Sequence, residues 1–496
     1  MNAQHILFGL SGRGGVWAIR GKWQGATKMK TGIYKALLGA TAIYSLILTA
    51  GAVNAMSLTE AVEQAVHTNP EIGQAVANRE GVQFELEQGM GLKRPRLDVE
   101  GDIGGEVANN SSSVAAGTSD TLFLRREVTL TANQTLFDGN AANSEIERQA
   151  ARVDSASFRV RERSEFIALA VIHEYLEMER ASRVIGLARE NIAYHQKVLG
   201  EISKGAGGGA ISVADRQQAQ ERVFAAQTKL IEATEDLKVS QDTFIKLVGQ
   251  PVGKLSGRVN VKGKLPRSVE EALERAHSHH PSVKFAQADV DAASAAVRAA
   301  EAKFSPNVSL QGKAYAAEDV GGLSGPTTDL QGNVVVRWNL YNGGIDTANK
   351  QEQIRHVDES YQALHRITRE TDEGVRQSWD RRIQQTLRMR ELLRDLASIN
   401  QVRGSYLEQF KIGQRSLLDL LDTQNNRYAV QVAIATSDSA VKFSDFRLMA
   451  STGDLLQALG IAPPSETRPY ARRDYNVPPT PEPSAFDRTL PTPPKG

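Results

Sequence analysis

The 496-residue sequence contains no cysteine, which excludes disulfides, thiolate metal sites and a lipid-modified N-terminal cysteine. Aromatic residues are scarce, at 6%. A large compact core uses more of that bulk, so the scarcity points to long helices packed through small side chains. Neither sign of charge dominates: 59 Lys+Arg stand against 58 Asp+Glu, for a net charge of +1. That balance lacks the basic excess of a nucleic-acid-binding protein, and no nucleic-acid partner is expected. Beyond Ala55 no run of 18 apolar residues occurs, so no transmembrane helix is expected there.

What the N-terminal part does contain reads as an export signal. From Met29 the sequence places Lys30 and Lys35 ahead of an apolar stretch from Ala36 to Ala50, and then Val53-Asn54-Ala55, a small-residue cleavage pattern. The stretch is shorter than the ~20 residues of a membrane-anchoring helix. Residues 1–55 are therefore expected to be leader and signal peptide, cleaved after Ala55.

The rest of the chain is written twice. SLTEAVEQAVHTNPEI at Ser57 recurs as SVEEALERAHSHHPSV at Ser268, and Pro95 recurs 211 residues on as Pro306. QTLFDGNAA at Gln134 recurs as WNLYNGGID at Trp338, now 204 residues on. The same spacing sets Ser212 and Asp215 on Ser416 and Asp419, and Gln220 on Gln424. Two repeats are expected, at 57–255 and 268–460, within one domain covering 56–460.

Each repeat carries two short segments of strict period two. Leu97, Val99, Gly101 and Ile103 interleave with Asp98, Glu100 and Asp102; Val128, Leu130, Ala132 and Leu136 interleave with Thr129, Thr131, Asn133 and Thr135. In the second repeat Val308 and Leu310 alternate with Ser309 and Gln311, and Val334, Val336, Trp338 and Leu340 with Val335, Arg337 and Asn339. The links, 106–120 and 317–329, are small and polar, as exposed loops are. Strands of ~10 residues with one apolar and one polar face fit a transmembrane barrel; surface hairpins on a soluble protein are the plainer alternative. Four strands cannot close a barrel, and open edges are not tolerated in lipid, so the barrel reading requires an oligomer.

The remaining stretches are helical. Val223, Leu230, Leu237 and Phe244 recur every seven residues, with Ala226, Ala233, Ser240 and Leu247 three places after each. Val171, Met178, Ile185 and Ile192 keep the same spacing. The stretch from about Asn140 to Ser203 spans roughly 95 Å as one helix, which makes a rod or a tube wall. An ordinary coiled coil explains these seams but not the hairpins. After Gly460 the composition turns proline-rich without an apolar face, so 461–496 is expected to be a disordered tail.

Catalytic and cofactor chemistry is not legible. His277, His279 and His280 stand together without the cysteines and carboxylates of a metal site. KGAGGGA (204–210) lacks the lysine-serine/threonine pair of a phosphate loop and reads as a turn between helices. Neither an enzyme nor a cofactor or metal is expected.

The duplicated helix–hairpin–helix–helix order, LFDG and LYNGG after a strand, and GQRSLLDLLDTQN (413–425) resemble the TolC-like outer-membrane efflux proteins across nearly all of 57–460. The resemblance implies a mainly α fold with a transmembrane β-barrel part. Three chains would contribute four strands each to a twelve-stranded barrel in the outer membrane, continuing into a long periplasmic α-helical, coiled-coil tunnel. It further implies a homotrimer embedded in outer-membrane lipid, a periplasmic membrane-fusion adaptor, and an inner-membrane ABC transporter or RND pump. The expected function is the exit duct of a type I secretion system; a multidrug efflux duct and a non-channel periplasmic coiled-coil protein are the alternatives.

The same resemblance assigns a pore gate. Asp419 and Asp422 would form carboxylate rings at the tunnel entrance, and Arg415 and Phe410 would link these helices to the first repeat near Asp215. Phenylalanine at 410 offers no hydroxyl, which leaves Arg415 as the main charged link. Asp215 and Asp419 each follow a serine by three residues and equally suit first-turn caps of helices. Asp422 corresponds to Gln218 in the first repeat, so its charge belongs to the second repeat alone.

Overall fold

The computed structural model describes residues 55–206, 212–253, 255–256 and 261–490. The expected signal peptide up to residue 54, the glycine-rich stretch at 207–211 and the last six residues lie outside the described residues.

Two rounds of one element order follow each other. The first comprises β1 (Met56–Ser57), α1 (Leu58–Thr68), α2 (Pro70–Gly91), β2 (Arg96–Glu106), α3 (Ser111–Ala116), β3 (Phe123–Phe137), α4 (Ala141–Ala206) and α5 (Val213–Val248). After β4 (Leu255–Ser256) come α6 (Val269–His279), α7 (Pro281–Glu301), β5 (Asn307–Glu318), β6 (Pro326–Arg337), α8 (Ile345–Lys411) and α9 (Leu417–Ser451). The short α10 (Leu455–Leu459) and α11 (Ala471–Asp474) close the described chain.

Local chemistry sets the boundaries. Ser57 and Ser268 accept hydrogen bonds from the amides of Glu60 and Glu271, capping α1 and α6. Asn69 and His280 cap α2 and α7, each of which begins with proline, where a missing N–H costs nothing. The LFDG and LYNGG motifs are strand-to-helix turns. Asp138 accepts from the amide of Ala142, and Gly139 has φ +65° with Ser305 so close that any Cβ would overlap it. Asn342 plays the capping part in the second repeat, with Gly343 and Gly344 both left-handed.

The four long strands form one antiparallel sheet in the order β2-β3-β5-β6. Its faces are inverted relative to a soluble sheet. Leu97, Val99, Ile103, Val128, Leu130, Leu330, Val334 and Val336 are exposed. The opposite face holds a polar group in which Arg125 sits 2.6 Å from Glu127 and 3.6 Å from Asp102, while the Tyr315 hydroxyl donates to Glu127. The outer strands β2 and β6 have no partner on their free sides among the described residues.

The helices form a wall parallel to that order. α4 packs against α2, α5, α7 and α9, while α8 packs against α7 and α9. At 66 residues α4 extends roughly 100 Å at 1.5 Å per residue. The heptad seams are largely where the periodicity puts them: Val171, Met178, Ile185, Val223, Phe244, Ala226, Ala233, Ser240 and Leu247 are buried, and Ile192, Leu230 and Leu237 half-buried. Among the described residues no helix is long and apolar enough to cross a membrane.

The segment after Gly460 departs from the expectation of disorder. Residues 461–490 run across the helices as a strap held by polar contacts and by irregularly spaced apolar ones, with Ala471, Tyr470, Tyr475 and Val477 packed on Val82, Leu86, Ile146 and Val153. Asp154, buried on α4, accepts from the amides of Tyr470 and Ala471 and pairs with Arg472, which also reaches Asp291 of α7 at 2.7 Å. Further along, Tyr361 donates to the Pro481 carbonyl and Arg488 pairs with Asp358, with Tyr361 and Asp358 both on α8.

Candidate functional site at the helix ends

The turn between α8 and α9 carries most of the residues singled out from the sequence. Gly413 has φ +76° and its amide donates to Phe410, closing α8. Ser416 caps α9: its hydroxyl is 2.7 Å from Asp419 Oδ2 and accepts from the Asp419 amide. Ser212 and Asp215 repeat this arrangement at the start of α5, as a full capping box. Both aspartates are thus held by their own helix starts, where the helix dipole favours a carboxylate.

Arg415 stays within its own hairpin. Its guanidinium lies 4.1 Å from the centre of the Tyr406 ring, donates to Gln409 and sits 3.8 Å from Asp419. No hydrogen bond or ion pair joins it to Asp215 among the described residues. Phe410 does reach the first repeat. It packs against an apolar cluster of Val198 and Ile202 from α4, Ala219 from α5, and Leu417 and Leu421 from α9.

The charged link between the repeats at these helix ends is a different one. Arg222 of α5 donates to Asp422 of α9 at 2.9 Å. At the 204-residue spacing the counterparts of these two residues are Asn426 and Gln218, so the acid survives in one repeat and the base in the other. Two further residues of the motif reach α4. Gln424 donates to Asn191 at 2.9 Å and receives from Arg403, and Asn425 Oδ1 lies 3.2 Å from His195 Nε2. His195 is fully buried, and burial holds its pKa below the ordinary histidine range, so it is a neutral part of this network near pH 7. Arg222, His195, Asn191 and Arg403 were not legible as site residues. The one signal for Arg222 is its place one turn after Gln218, the partner position of Asp422.

The three clustered histidines are engaged separately: His277 with Asp372 at 2.6 Å, His279 with Asp454 at 3.4 Å, and His280 at the start of α7. Among the described residues no group of three or more side chains is arranged to hold a metal ion.

Known proteins share this fold. The family described as outer membrane efflux protein matches residues 61–250 and 272–454, one stretch in each repeat. The outer membrane efflux protein BepC of Brucella suis is 22% identical over 324 residues, covering 65% of this chain and 70% of BepC. Among solved structures, the outer membrane protein VceC of Vibrio cholerae superposes with a TM-score of 0.69 at 16% identity, covering 82% of this chain and 96% of VceC. The CmeC outer membrane channel of Campylobacter jejuni gives 0.70 at 14% identity, covering 80% and 86%.

Proposed function

The chain belongs to the outer membrane efflux protein family, with its sheet in the outer membrane and its helical part in the periplasm, and from that premise we propose that three copies close into one duct serving type I secretion. The observation that carries the duct is the inverted sheet: apolar side chains exposed on one face, a paired polar group on the other, and two edges left without partners among the described residues. Lipid covers the first and neighbouring subunits the second. The helical wall has matching open edges. α5 exposes Phe224, Ile231 and Val239, and α8 exposes Ile383, Leu387 and Leu393. Unlike edges of one chain join head to tail, which closes a ring by rotation. Detergent extraction from the outer membrane should release a trimer; a monomer in the soluble periplasm contradicts the duct.

The lower ends of the helices are its gate. Opening moves α8 and α9 away from α4 and α5. That movement must break Arg222–Asp422, separate Gln424 and Asn425 from Asn191 and His195, and pull Phe410 off its apolar cluster. In a closed trimer Asp419 and Asp422 of three chains face one another as rings. Close carboxylates repel and attract cations, so Arg222 and Arg415 lower the repulsion that favours opening.

GQRSLLDLLDTQN and the absence of any cysteine resemble the secretion branch of the family, so the partners are a periplasmic adaptor and an ABC transporter. BepC, described as an efflux protein, favours small-molecule efflux with an RND pump as the second reading. Deletion of the chain separates the two. Loss of one exported protein with unchanged drug susceptibility supports secretion, and the reverse outcome supports efflux.

A further inference from the structure

At the level where strands give way to helices lies a cavity of about 850 Å³, bounded by the end of α2, the first turns of α4, the end of α7 and the strap at Tyr475. Its carboxylates are already matched: Glu147 with Arg298 at 2.6 Å, Glu301 with Lys350 at 3.1 Å, and Asp474 with Arg473 at 3.0 Å. Lys93 and Arg94, at its rim, have no carboxylate partner among the described residues. The first turn of α4, with Asn143 and Ser144, borders the same space and adds neutral polar side chains, its amino-terminal end being already capped by Asp138.

Placement decides which anion this suits. Lys93 and Arg94 stand immediately before β2, whose first residue is Arg96, so they lie at the periplasmic end of the sheet. The exposed apolar band starts directly above, at Leu97 and Val99 on β2 and at Leu136 and Phe137 on β3. Trp338, at the same end of the sheet, is exposed and anchored by a bond from its indole nitrogen to the Phe304 carbonyl, as interfacial aromatics are. The strap crosses the helices on the cavity's side, and a strap crossing inside a duct would obstruct it, which puts the cavity on the outer surface.

We propose that this cavity binds the headgroup of an anionic glycerophospholipid of the periplasmic leaflet, with Lys93 and Arg94 on the phosphodiester and the acyl chains against the apolar band. Acidic lipid is attracted by about 1 kcal/mol per basic side chain near the surface, so losing both cations weakens retention by about 30-fold. This rests on the barrel reading, and the test keeps the two apart. The full chain is purified in detergent with phosphatidylglycerol, phosphatidylcholine or inorganic phosphate, and bound molecules are counted by native mass spectrometry. The parent and a Lys197→Gln/Arg388→Gln control retain phosphatidylglycerol over phosphatidylcholine, while Lys93→Gln/Arg94→Gln loses that preference. Equal retention by the double variant overturns the site. So does a parent-to-variant difference seen with inorganic phosphate alone, which assigns the cavity to a soluble anion. Outer-membrane fractionation of all three proteins reports separately on the barrel.

Discussion

The two longest helices have nearly the same length and the same place in their repeats, yet opposite surroundings. α4, of 66 residues, keeps burying one face to its end, through Ala181, Val184, Ile185, Ala188, Asn191, His195, Val198 and Ile202. α8, of 67 residues, has no fully buried residue after Ser378, although Ile383, Leu387, Leu393, Val402 and Leu407 continue along it. The first repeat's helix is covered inside one chain, and the second repeat's helix leaves its apolar positions exposed. In the proposed trimer, that difference makes α4 interior and puts α8 at an interface between subunits.

The largest test of that contrast places a carboxylate on each helix in turn. Val171→Glu puts an unpaired charge inside the protomer's apolar core and should cost at least about 4 kcal/mol, a large part of a domain's stability. Leu387→Glu should leave the helical circular dichroism intact and abolish the trimer in analytical ultracentrifugation. A folded trimer of the Leu387→Glu variant contradicts the edge assignment of α8.

Within the gate the expected order follows the contacts. Arg222→Ala removes the charged link between repeats at the helix ends and should raise single-channel conductance in planar bilayers most. Arg415→Ala or Arg415→Ser, acting only within the α8–α9 turn, should open the entrance less. Divalent and trivalent cations should block the parent from the periplasmic side, and Asp422→Ala should relieve the block. Unchanged block in that variant argues against the carboxylate ring.

The smallest effect concerns the interior of α4. Burial pushes Glu165 up from an ordinary 4.5 to about 7, against the opposing pull of Arg161, while it accepts from the Leu456 amide. The folded state holds this proton where the unfolded state has lost it. Stability from this group is therefore fully present below pH 4.5 and falls as pH rises through about 7. Nearby His280 is pushed down from 6.5 to about 4 by burial and works in the opposite sense, gaining as pH rises to 6.5. Comparing Glu165→Gln with the parent cancels the histidine contribution. The melting temperature of the variant should fall less than that of the parent between about pH 5 and 8.

Much of the fold was legible because burial imposes a period on sequence. The strands at 97–103 and 128–136, the seven-residue seams and the doubled order all follow from one face meeting a fixed environment. Long-range polar contacts impose no such period. The Arg222–Asp422 pair joins residues 200 apart, and its logic appears only when the repeats are overlaid and an acid at one position meets a base one turn further along. The capping reading of Asp215 and Asp419 needed only local spacing and describes their contacts. The expected reach of Arg415 to the first repeat depended on side-chain direction, and the guanidinium instead turns onto Tyr406. The strap at 461–490 escaped for the same reason: the ion pairs of Asp154, Arg472 and Asp291 and the packing of Tyr470, Ala471, Tyr475 and Val477 that hold it have no regular spacing in the sequence.

The most direct test of the account is a charge exchange across the repeats, read as single-channel conductance. Arg222→Asp alone should open the entrance, because it adds a carboxylate beside Asp422. Arg222→Asp with Asp422→Arg should restore parental conductance. If the double variant conducts as freely as the single one, or if the single one does not differ from the parent, the link between α5 and α9 does not hold the gate.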